Sequence, residues 1–67
     1  MKKIIYVMVE TTNPSADMFG YFENEELANA EIDRMKKVIK GNENYYGKLE
    51  DISFRQEEII IDNVLQQ

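Results

Sequence analysis

Residues 3–10 place Ile4, Ile5, Tyr6, Val7, Met8 and Val9 in one unbroken apolar run. β-Branched and aromatic side chains suit a pleated backbone, so the run predicts a strand. Both of its alternating sets are apolar: Ile4, Tyr6 and Met8 on one side, Ile5, Val7 and Val9 on the other. A strand with two apolar faces is usually central in its sheet and covered on both sides. Asn13-Pro14-Ser15 follows within residues 11–17. Proline presets φ there and asparagine can bond its own backbone, which predicts a turn. Residues 18–22 read as a second short strand, with Gly20 marking a bulge or a close approach.

Residues 24–40 change to the helical period. Asn24 is a good N-cap, Glu25 and Glu26 occupy the first turn, and Lys36, Lys37 and Lys40 lie near the end, with Gly41 at the C′ position. On a helical wheel Leu27, Ala28, Ile32, Met35, Val38 and Ile39 share an arc of roughly 140°. That pattern predicts a helix packed on one face only. A polar turn at residues 42–44 and then Tyr45 and Tyr46 lead into residues 48–56. There Ile52 and Phe54 alternate with Asp51, Ser53 and Arg55, as in a half-buried strand. The tail, residues 57–67, has two readings. Ile59, Ile60 and Ile61 suit a strand, whereas Ile60, Ile61, Val64 and Leu65 also fit a short helix; the strand reading through Ile61 is preferred.

The predicted fold class is α+β: one domain over residues 1–67, in the order β-β-α-β, with a C-terminal apolar tail. A three-stranded antiparallel sheet in the order 2-1-3 makes the first strand central, and the crossover through the helix should be right-handed. One helix can cover only one sheet face. The other face would carry three large apolar side chains, a patch that soluble monomers rarely expose. Either the tail folds over it or a second copy does. A chain of this size buries only roughly 60% of its unfolded surface, so the second copy is the preferred cover and a homodimer is expected. Ile4, Tyr6, Met8, Ile59 and Ile61 are the candidate interface.

Composition narrows the chemistry. Eight basic and 13 acidic side chains give a net charge of -5, with no histidine and no cysteine. Disulfides, Cys/His zinc sites and imidazole or thiol catalysis are therefore excluded. The negative charge repels phosphate backbones, so no direct nucleic-acid binding is expected. The apolar run is far shorter than the ~20 residues of a membrane span. Met1-Lys2-Lys3 resembles a signal-peptide start, but Glu10 ends the run early, so a cytoplasmic, soluble protein is expected. Gly20, Gly41 and Gly47 are isolated and build no phosphate cradle. Glu50, Asp51, Glu57, Glu58 and Asp62 lie close in sequence without the ligand spacing of a calcium loop, and solvated strand edges account for them. No catalytic, metal or cofactor residue is assigned, and an enzyme is not expected. The aromatics carry more information. Met18 and Phe19 follow one polar loop, Tyr45 and Tyr46 another, and such residues favour binding surfaces. Alternation alone would turn one member of each pair inward. Tyr21 and Phe22 are assigned to the core. Tyr45 and Tyr46 with Glu50, Asp51, Glu57 and Glu58 form the candidate partner-binding set.

Residues 3–10, Gly20-Tyr21-Phe22 and Asn24-Glu25-Glu26-Leu27-Ala28 together resemble a group of short uncharacterised proteins from Gram-positive bacteria and their phages. The resemblance covers the first two thirds of the chain. It implies a β-β-α-β fold and a phage or prophage origin, and it brings no catalytic residues. The function expected is that of a small interaction protein that binds, and by acidic nucleic-acid mimicry inhibits, a host protein. The alternative is a structural or accessory subunit that self-assembles or packs through its sheet face.

Overall fold

The computed structural model describes residues 2–61. Strand β1 (Lys2–Glu10) is central, with β2 (Met18–Phe22) on one side and β3 (Ser53–Ile61) on the other. Both pairings are antiparallel, so the predicted order 2-1-3 holds. Helix α1 (Glu25–Lys40) crosses one face of this sheet, and a single turn of helix, α2 (Glu43–Tyr46), follows it.

Local chemistry explains the element ends. In the β1–β2 loop the Asn13 side chain accepts from the Ser15 amide at 3.1 Å, which starts a 3-10 turn over Pro14–Ala16. Asn24 caps α1 in the same way, accepting from the Leu27 amide at 2.9 Å. The other end of α1 departs from expectation. Gly41 is the cap residue itself, with a right-handed φ of -82°, and not a left-handed C′ residue. The Asn42 amide, 3.0 Å from the Ile39 carbonyl, tightens the last turn instead. Gly47 is the position that needs glycine. Its φ is 98°, and a Cβ there would lie 2.2 Å from Thr12 Oγ1. This close approach lets Thr12 bond the Tyr46 carbonyl through both its amide and its hydroxyl, at 3.2 and 3.1 Å. The loop after β1 is thereby tied to α2.

The core lies between α1 and the odd-numbered face of β1. Ile5, Val7 and Val9 meet Ala28, Ile32, Met35 and Ile39, with Ile52 closing one end. Met18, Phe22, Tyr46, Leu49 and Phe54 pack around this centre. Leu27 and Val38 are corrections to the predicted buried stripe, being 49% and 40% exposed. A three-stranded sheet is narrow, and the flanks of a 140° stripe overhang its edges.

The second half of the chain also corrects the sequence reading. The strand expected over residues 48–56 begins only at Ser53, after α2 and a 3-10 turn over Leu49–Asp51. It then runs on through Ile61, pairing Ile59 with Ile4 and Ile61 with Lys2. The preferred strand through Ile61 is therefore correct, but it extends β3 and is no separate element. Val64 and Leu65, on which the short-helix reading relied, lie outside the described residues.

Candidate protein interface

Registers determine what the other face carries. Met8 stands opposite Phe19 on β2 and Arg55 on β3; Tyr6 stands opposite Tyr21 and Glu57. Directly opposed residues project from the same side of a sheet. The face away from α1 therefore carries Phe19, Met8 and Arg55 in one row and Tyr21, Tyr6 and Glu57 in the next. Ile4 and Ile59 make a third row beyond them.

Aromatic packing organises this surface. The Tyr6 ring lies 5.1 Å from Tyr21 and 6.3 Å from Phe19, while Phe19 and Tyr21 meet edge to face at 6.4 Å. The Tyr6 hydroxyl approaches the Met8 sulfur at 3.7 Å. Despite these contacts Phe19 and Tyr21 are 65% and 59% exposed. No described element crosses this side of the sheet, since α1, α2 and the 3-10 turn at Leu49 pack with the odd-numbered face.

All five residues of the predicted interface, Ile4, Tyr6, Met8, Ile59 and Ile61, fall on this one uncovered face by register. The sequence reading missed two of its largest members. Tyr21, expected in the core, is exposed, and of the Met18–Phe19 pair Met18 turns inward and Phe19 outward, as alternation requires. A signal was available in the alternation of β2. Phe22 must point inward just before the helix cap, which turns Gly20 and Met18 inward with it and Phe19 and Tyr21 outward.

The acidic partner-binding set is not gathered into one patch. Glu57 and Glu58 are sequence neighbours on a strand, so they project from opposite faces. Glu57 stands opposite Tyr6 and lies 3.9 Å from Arg55; Glu58 stands opposite Ile5 and lies 3.3 Å from Lys3. Glu50 and Asp51 sit apart from both on the exposed turn before β3. Tyr45 and Tyr46 pack edge to face at 5.0 Å, but Tyr46 is committed to the core and only Tyr45 is exposed. Lys36, from the basic cluster of α1, lies 5.4 Å over the Phe54 ring, a cation–π contact that holds β3 to the helix.

Chemical machinery is sparse on these residues. Among the described residues no group of three or more acidic side chains is placed to hold a metal ion. A shallow depression beside Ile5, Glu25, Gln56 and Glu58 is open and polar. The clearest perturbed carboxyl is Glu31 on α1, held below the usual carboxylate range by hydrogen bonds from the Arg34 guanidinium. It is a helix-surface pair of the i,i+3 kind. No helix of the described residues is long and apolar enough to cross a membrane. Comparisons with protein-family models, curated proteins and solved structures gave no match.

Proposed function

We propose that this chain is a non-enzymatic interaction protein that works as an assembling or accessory subunit, packing its uncovered sheet face against another protein surface. The exposed Tyr6–Phe19–Tyr21 cluster carries this reading. Aromatic side chains supply large contact area at low conformational cost and dominate the buried centres of interfaces. Here three of them share a face with Met8, Ile4 and Ile59. The resemblance to phage and bacterial proteins adds a host protein as a partner of the same kind. Host inhibition by an acidic surface has less support, because Glu50, Asp51, Glu57 and Glu58 are dispersed over different sides of the molecule.

Salt separates the two modes. Apolar docking should persist at high ionic strength, and Phe19→Asp should abolish it while the far-UV spectrum stays native. Acidic steering should weaken steeply as exposed charges are screened over about 8 Å at physiological salt. The measurement is association of the full chain, with itself and with a captured partner, at low and high salt. Association that collapses with salt, ignores Phe19→Asp and responds to reversal of Glu57 and Glu58 would replace the sheet face with the acidic surface.

A further inference from the structure

We infer that the occupant of the uncovered face is a second copy of this chain, stacked face to face about a two-fold axis perpendicular to the strands. The inference rests on the sheet-face reading above and names its partner. The axis would pass between the row of Phe19, Met8 and Arg55 and the row of Tyr21, Tyr6 and Glu57.

The two rows are complementary to each other, which is the property a two-fold interface requires. Rotation about this axis lays each row of one copy over the other row of its partner. Phe19 then meets the second copy's Tyr21, an aromatic pair. Met8 meets the second copy's Tyr6, a sulfur–aromatic contact. Arg55 meets the second copy's Glu57, and Glu57 meets the second copy's Arg55. Moving the axis half a row either way fails on charge: through the Tyr6 row, Glu57 faces Glu57, and through the Met8 row, Arg55 faces Arg55. The chosen placement also lays Ile4 and Ile59 over the second copy's Glu10 and Ser53 at the edge of the contact. The two ion pairs lie on an outer strand of the sheet, at the rim of the interface, where charge sets orientation more than strength.

The tail segment is a poor substitute. Residues 62–67 bring two apolar side chains, Val64 and Leu65, against a face that carries Ile4, Tyr6, Met8, Phe19, Tyr21 and Ile59. A three-stranded face is also small beside the ~800 Å2 per partner of a standard interface, so micromolar association is expected.

Light scattering of the full chain at about 100 μM should give twice the 7.9 kDa chain mass. Phe19→Asp should give a folded monomer. Arg55→Glu sets two like-charge pairs across the axis and should weaken the dimer at least about tenfold. Adding Glu57→Arg to it exchanges the two charges and should restore affinity to within about threefold of the natural chain. A double variant no tighter than Arg55→Glu alone overturns the proposed axis. A monomeric natural chain that still binds a hydrophobic dye, with Phe19→Asp removing the signal, overturns the second copy but leaves the face as a docking surface. A dimer indifferent to Phe19→Asp overturns both.

Discussion

The two faces of β1 are alike in sequence and unlike in fate. Ile5, Val7 and Val9 are buried beneath α1, whereas Ile4, Tyr6 and Met8 look out with Phe19 and Tyr21 beside them. Both faces are apolar, so hydrophobicity alone does not distinguish core from binding surface. Side-chain shape and coverage do. The buried side is lined on β1 by compact β-branched residues that allow a helix to approach closely. The outer side carries rings and a thioether, groups that suit a surface meeting another surface.

Charges placed on the two faces should break the symmetry between them. Ile32→Asp or Met35→Asp sets an unpaired carboxylate against Ile5, Val7 and Val9 and should cost about 3–5 kcal/mol, most of the stability of a small domain. Thermal or urea melting would show it as loss of the folded baseline. Lys37→Asp, on the exposed side of α1, should melt close to the natural chain. Phe19→Asp should also leave the fold intact, because that residue is already mostly solvated. If Phe19→Asp unfolds the monomer as Ile32→Asp does, the outer face is core and the contrast between the faces fails.

Smaller effects sharpen the picture away from the sheet. Gly47→Ala meets a positive φ and the Thr12 side chain together, and should cost about 1–3 kcal/mol in a denaturant melt. Thr12→Ala would relieve only part of that loss, since the backbone strain is independent of Thr12. Leu27→Asp and Val38→Asp overhang the sheet and should each cost less than about 1 kcal/mol, well below Ile32→Asp. The smallest effect belongs to the Glu31–Arg34 pair. Because the folded state lowers the Glu31 pKa, the contribution of this pair is complete above the ordinary carboxylate value. It is lost as pH falls through the lowered one. Arg34→Ala should raise the Glu31 midpoint in an NMR titration and remove that acid-side loss, while leaving the neutral-pH fold unchanged.

Much of the fold was legible because its signals are local. Asn13-Pro14-Ser15, the Asn24 cap and the alternation of residues 3–10 each act over a few residues, and each appears in the structure where the sequence places it. The stretch after Gly41 was less legible. The residue pattern assigns Tyr45 and Tyr46 to no element of their own. They become a helical turn because Thr12, far away in sequence, bonds the Tyr46 carbonyl and Gly47 lets the chain reverse against it. Tyr21, Leu27 and Val38 were assigned inward by local pattern alone. Their exposure depends on the hairpin register and on the width of the sheet, which are relations between segments.

The sequence by itself determined the strands, the capped helix, the turn chemistry and the central place of β1, since these depend on backbone propensity and on periods of two and 3.6 residues. It also put Ile4, Tyr6, Met8, Ile59 and Ile61 in one candidate set, through alternation. Only the tertiary structure decided which apolar face of β1 received α1, and which strand residues stand opposite one another across the sheet. The physical reason is that a strand's pattern specifies two faces but not their cover. Covering one of them depends on strand register, crossover geometry and the span of a single helix, none of which resides in any one segment.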